Sequence, residues 1–238
     1  MLPSRFSEVE WRPWGVLFRN SFNASCYEAN HAVILDTDCG IDDALSEIER
    51  HYNSRGIAPR IHSAGLFGEE ERLIPALAAR GYLVERAQDG TFLQTAPCPP
   101  PPEGFAFEQP KALTSEVAAL LLTEGGEWSL GMAEYLLPHP DCAAYAVRAA
   151  DGVLASYLLL ARGYGCAYVQ DVVTLSDYRR QGLCTGLLFA ALADFRRDWP
   201  NLPLFLDAEA QNAVRIYRRA GFSAFEAPKG WCAAKKAP

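Results

Sequence analysis

The sequence is short of several features, and each shortage removes a class of function. No stretch of its 238 residues approaches the roughly 18 apolar residues needed to span a bilayer, and MLPSRFSEVEWRPWG at the start has no apolar core of signal-peptide length. These absences predict a soluble, cytoplasmic protein with no membrane partner. Positive charge is also scarce: 22 Lys and Arg stand against 29 Asp and Glu, a formal net charge of −7. Nucleic-acid binding relies on counterion release by a dense cationic face, so no nucleic-acid partner is expected. Cysteines are present but unpaired in pattern. The seven, at 26, 39, 98, 142, 166, 184 and 232, include no CxxC spacing, which predicts neither a disulfide framework nor a zinc site.

Apolar content, by contrast, is ample. Half of the residues are hydrophobic, enough to bury a core in one large domain or two modest ones. The run PCPPPPEG, residues 97–104, favours an extended spacer that neither helix nor sheet absorbs. It predicts an N-terminal unit over 1–103 and a second unit over 104–238.

In the second unit, TSEVAALLLTEGG and SLGMAEYLLP read as helices, and AYAVRAADGVLASYLLLARG as two strands around an Asp-Gly turn. A third strand, AYVQDVVTL, follows. Apolar residues at 183, 187, 188, 191, 192 and 195 then mark a helix that Trp199-Pro200 stops. LPLFLDA, NAVRIYRRAG and FSAFEA read as strand, short helix and strand. The order α-α-β-β-β-α-β-α-β implies an α/β fold with a mixed, mostly antiparallel sheet flanked by helices.

The first unit carries a partial copy of this plan. HAVILDTDCGIDDALSEIERHY parallels strand, turn and helix; Pro59-Arg60-Ile61-His62 parallels Pro203-Leu204-Phe205-Leu206; LAARGYLVE parallels YRRAGFSAFE. Aligning Gly40 with Gly182 sets Thr37 and Asp38 opposite Arg179 and Arg180, and Asp42 and Asp43 opposite Cys184 and Thr185. The copy is acidic where the second unit is basic.

The stretch VVTLSDYRRQGLCTGLL, residues 172–188, carries the chemistry. A helix start leaves amides without intrahelical partners, and with the helix dipole they attract an anion. Around Gly182 the amides of Gln181, Leu183, Cys184 and Thr185 can converge on a diphosphate, with Arg179 and Arg180 adding charge. The segment resembles the cofactor motif of the GNAT superfamily of N-acetyltransferases, Arg/Gln-x-x-Gly-x-Gly/Ala between a strand and a helix. Arg179, Gly182 and Cys184 occupy its defined positions, Cys184 in place of Gly or Ala. Downstream, LDAEAQNAVRIYRRAGF is similar to the family's closing motif through Tyr217, Gly221 and Phe222. The family often has an asparagine seven residues before that tyrosine; here Ala210 holds the place, and Asn212, two places on, is the candidate cofactor contact.

The resemblance covers roughly 104–238 and implies transfer of an acetyl group from acetyl-CoA to a primary amine by direct attack, with no metal and no covalent enzyme intermediate. It implies that Val172, Val173 and Thr174 lie beside the pantetheine arm, that residues 179–185 hold the diphosphate, and that Tyr217 protonates the departing thiolate. For the base, Asp171 is the nearest carboxylate in sequence; Glu134, His139, Asp207, Glu209 and a water relay remain alternatives. The acceptor is a small-molecule or peptide amine, and a homodimer is allowed for. The copy has Leu77 where the second unit has Tyr217, so it is expected to lack this chemistry.

Other readings compete with this one. ILDTDCGIDDALS, residues 34–46, resembles the aspartate-rich calcium motif of nucleoside hydrolases, with Asp36, Asp38, Asp42 and Asp43 as ligands. An EF-hand is excluded because its required glycine position holds Ile41. A CoA-binding sensor without turnover is the non-enzymatic alternative.

Overall fold

The computed structural model describes residues 2–24, 26–38 and 40–235, and the chain divides into two compact units, Met1–Asp89 with Glu226–Pro238, and Gly90–Phe225. The first unit runs β1 (Glu8–Arg12), β2 (Gly15–Arg19), β3 (His31–Ile34), α1 (Ile41–Asn53), β4 (Arg60–His62), α2 (Glu69–Ala79) and β5 (Tyr82–Arg86). The second runs β6 (Gly90–Gln94), α3 (Ser115–Leu136), β7 (Cys142–Arg148), β8 (Leu154–Gly163), β9 (Cys166–Thr174), α4 (Leu183–Asp198), β10 (Leu204–Ala208), α5 (Gln211–Arg219) and β11 (Phe222–Ala224). A last strand, β12 (Trp231–Lys235), belongs to the first unit's sheet.

Each sheet has six strands, in the orders β1-β2-β3-β4-β12-β5 and β7-β8-β9-β10-β6-β11. The succession of pairings is the same in both. Three strands run antiparallel, a parallel step follows, and a strand remote in sequence is wedged antiparallel into the fifth place.

This division differs from the one expected at 1–103 and 104–238. β6 precedes the prolines yet pairs with β10 and β11, and β12 follows β11 yet pairs with β4 and β5. Proline content marks where chain is extended. It does not say which sheet a neighbouring strand completes.

The elements of the second unit follow from local chemistry. β8 is buried along most of its length, so its sequence reads as a continuous apolar run; α4 and α3 both pack on it. Leu187, Leu188, Ala191, Leu192 and Phe195 form the buried stripe of α4, which ends at Trp199. The two helices expected before the first strand meet in α3 at a kink on Gly126, whose φ of 80° and ψ of −176° are open to glycine. Asp151-Gly152 makes the β7–β8 turn, with Gly152 at φ 88°.

No disulfide joins the described cysteines, and Cys39 lies outside the described residues. Among the described residues no helix is long and apolar enough to cross a membrane.

Candidate active site

The turn between β9 and α4 is built so that the helix start stays uncapped. Ser176–Tyr178 form one 3₁₀ turn, Arg180 takes φ 64°, and Gly182 takes φ 83° as the N-cap of α4. No side chain caps the helix, and the first backbone bond runs from the Gly186 N–H to the Gly182 carbonyl at 2.9 Å. By helix geometry the N–H groups of Leu183, Cys184 and Thr185 then lack intrahelical acceptors. A Cβ on Gly182 would meet nothing within 4 Å, so open space lies over this turn. The second glycine of the motif has another reason: a Cβ on Gly186 would stand 2.3 Å from the Phe105 ring, so the residue permits close packing inside the unit.

The two arginines part company. Arg179 donates from Nε to the Thr174 carbonyl at 3.0 Å and pairs through its other nitrogen with Glu124. Glu124 also accepts the Ser176 N–H at 3.0 Å, with its side chain only 12% exposed. Glu124 thus braces the turn from α3, a role that sequence reading missed because residue 124 lies 55 positions from its partner. Arg180 is exposed and has no partner among the described residues, so its charge faces solvent. Gln181 donates to the Asp177 carbonyl at 3.3 Å.

Upstream, β9 and β10 pair only at Ala167–Leu204 and Tyr168–Phe205. Beyond Tyr168 the strands part, which leaves Val172, Val173 and Thr174 beside a gap. The same strand carries a bulge: Leu159 faces Gln170 and Tyr157 faces Val173, so Asp171 and Val172 together stand opposite Leu158. Asp171 takes φ 50° there, a conformation that Asp tolerates better than most residues and that costs about 1 kcal/mol. Burial pushes its carboxyl up to about 6. It sits inside the strand, three residues before its end.

On the far side, α5 buries Val214 and Tyr217. Tyr217 packs edge-on to Phe222 with centroids 6.3 Å apart. Burial first, then the neighbouring Cys184 thiol, raises the Tyr217 phenol above its ordinary value, so it remains protonated at neutral pH. Cys184 hydrogen-bonds the Thr174 side chain, yet burial dominates and lifts its thiol too. That keeps it a thiol, a poor nucleophile. Gly221 is required: at φ 89°, a Cβ there would stand 2.2 Å from the Ala96 carbonyl oxygen.

The remaining candidates are dispersed. Asn212 lies exposed in the first turn of α5. Glu134 and Glu209 are exposed, His139 accepts the Asp141 N–H at 3.1 Å, and Asp207 accepts hydroxyls from Tyr168 and Thr91. Asp171 alone among these carboxylates combines burial with a raised pKa.

The corresponding turn of the first unit is arranged otherwise. Gly40, the N-cap of α1, has φ −65°, and three of the four aspartates are engaged: Asp38 pairs with Arg72, Asp42 with Arg80, and Asp36 accepts the Asp38 N–H at 2.9 Å. Among the described residues no group of three or more His, Cys, Asp or Glu could hold a metal ion, which removes the support for a calcium site at Asp36, Asp38, Asp42 and Asp43. Arg72 and Arg80 balance two of the four charges, so the turn stays acidic.

Comparison with known proteins points one way. Curated protein sequences yield no match. The chain is similar in fold to a GCN5-related N-acetyltransferase from Kribbella flavida (20% identity, TM-score 0.68, covering 99% of this chain and 92% of that one). It is similar also to a GCN5-related N-acetyltransferase-like protein from Streptococcus suis 89/1591 (14% identity, TM-score 0.57, covering 95% and 88%). A tandem GNAT protein from the clavulanic acid biosynthesis pathway shares the fold at 17% identity and TM-score 0.56, covering 86% and 75%. The model of the acetyltransferase (GNAT) family matches residues 114–222, the stretch that holds the Asp171 bulge, the Gly182 turn and Tyr217. Over those residues the chain carries an acetyltransferase domain of the GNAT family.

Proposed function

We propose that the second unit moves an acetyl group from acetyl-CoA to a primary amine by direct attack. The observation that carries this reading is the parting of β9 and β10 beyond Tyr168, with uncapped α4 amides at one end of the gap and the half-buried Asp171 carboxyl along its edge. The diphosphate rests on the amides of Leu183, Cys184 and Thr185, with the exposed Arg180 as its counter-charge. Val172, Val173 and Thr174 run beside the pantetheine arm. The amine nitrogen attacks the thioester carbon, Asp171 takes its proton, the C–S bond breaks, and Tyr217 returns a proton to the CoA thiolate.

Tyr217→Phe is expected to lower kcat about a hundredfold, the lower end of general-acid effects because a thiolate leaves readily, with CoA affinity within twofold. Thiol release in steady-state assays and calorimetry with CoA check it; unchanged kcat removes the acid role. Gly182→Ala has the opposite signature. The αL conformation costs an alanine about 1–2 kcal/mol and its methyl enters the space over the turn, so CoA binding should weaken about tenfold or more. Calorimetry decides that too.

The first unit is read as a degenerate copy that holds no CoA. Its acidic turn repels a diphosphate, and Leu77 has no proton to give. A stoichiometry of one CoA per chain is expected, and two would overturn this part.

A further inference from the structure

Resting on the acyl-transfer reading, we propose that the acceptor is a cationic amine on an aromatic or similarly apolar skeleton, bound over the outer face of β10, β6 and β11 with Asp207 as its charge partner. The approach is set by what fills the rest of the domain. On one face of the sheet, Leu204, Leu206, Phe92 and Phe222 are buried in the same core as α4 and α5. No acceptor can reach a thioester in the gap through that packing. On the other face α3 packs against β8 and β9. What stays accessible is the half of that face beyond the point where the strands part.

Strand alternation determines what this half presents. Register pairs Phe205 with Leu93 and with Tyr168, and Asp207 with Thr91, so these side chains all point away from the core. Phe205 and Phe225 meet edge-on with centroids 5.5 Å apart, and Phe225 is 44% exposed. Together with Leu93 they form an apolar floor in a position where nothing in the core requires aromatics. At its edge the exposed Asp207 is held in place by the Thr91 hydroxyl at 2.7 Å and by the Tyr168 hydroxyl. A carboxylate has about four acceptor sites, so an oriented carboxylate with two donors keeps capacity for an ammonium group. Tyr168 is also the last β9 residue paired with β10, and Asp171 follows three residues on, so the floor is continuous with the proposed reaction centre. An aryl group on this floor gains burial and ring–ring contact, and Asp207 draws in the ammonium form, which releases one proton to solvent before the neutral nitrogen attacks and gives its second to Asp171.

The test is steady-state thiol release from acetyl-CoA with phenethylamine, spermidine and aniline, for the wild type, Asp207→Asn and Phe225→Ala. Phenethylamine should show the highest kcat/KM of the three. Both variants should raise its KM about tenfold, with kcat within about threefold and the KM for acetyl-CoA unchanged, which shows that the fold and cofactor turn persist. Preference for spermidine or aniline, or a phenethylamine KM unmoved in both variants, overturns the proposal. Calorimetry with CoA separates the layers: no CoA binding sinks the acyl-transfer reading and this one with it. CoA binding without thiol release to any of these amines sinks this one alone.

Discussion

Asp171→Asn is expected to lower kcat about a thousandfold while making the folded protein more stable at pH 8. The first effect follows from the proposed role of Asp171 as the base for the amine's proton, and its size is within the usual range for such groups. The second follows from linkage. Burial raises the folded-state pKa of Asp171 to about 6 from a reference of 3.8, so the native state holds this proton more tightly than the unfolded chain does. Its contribution to stability is therefore full below about pH 3.8 and is lost as pH rises through about 6. That difference corresponds to about 3 kcal/mol at most, because part of the side chain still meets solvent. Asparagine removes the ionisation, tolerates the positive φ of the bulge, and should recover most of that loss above pH 6.

The same group dictates a pH profile. Wild-type kcat/KM should climb through about pH 6 as the carboxyl ionises, and that limb should be absent in the Asn variant. Denaturation at pH 4 and pH 8 supplies the second readout. A variant that keeps wild-type turnover, or that is no more stable at pH 8 than the wild type, contradicts the assignment of Asp171.

Ending the chain at Phe225 is expected to abolish cooperative folding of the first unit. Among the described residues β12 is the only sheet neighbour of β5 and one of two neighbours of β4, so its removal strands both. Trp231 and Ala233 are also buried in that unit's core with Ile61 and Tyr82. Hydrogen exchange should show β4 and β5 amides losing protection while β8 and β9 amides keep theirs. Trp231→Ala offers a milder version, with a cost of about 3–5 kcal/mol in chemical denaturation. Full protection of β5 in the truncated chain would show that the pairing is dispensable.

Much of the second domain could be read locally. The stripe of α4 follows from helical periodicity, the Asp-Gly hairpin from turn preference, and the Gly182 and Gly221 positions from a backbone that only glycine adopts at low cost. The Gly182 turn and the helix bearing Tyr217 were legible for the same reason: each is a contiguous motif. Asp171 could be named only by its position, since the bulge that turns it depends on pairing with β8 and its raised pKa on burial in the folded chain.

Partners distant in the chain were invisible. Glu124 reaches the turn across 52 and 55 residues, and β6 and β12 each complete a sheet built mostly of other segments. A strand's sequence states that it will pair and which face it buries, but the hydrogen-bonding edge is nearly the same for every strand, so composition cannot choose the neighbour. Order along the chain therefore decided which helices, turns and reactive side chains exist. The packed sheets alone decided which carboxyl has its pKa raised, where the strands separate, and where one unit ends.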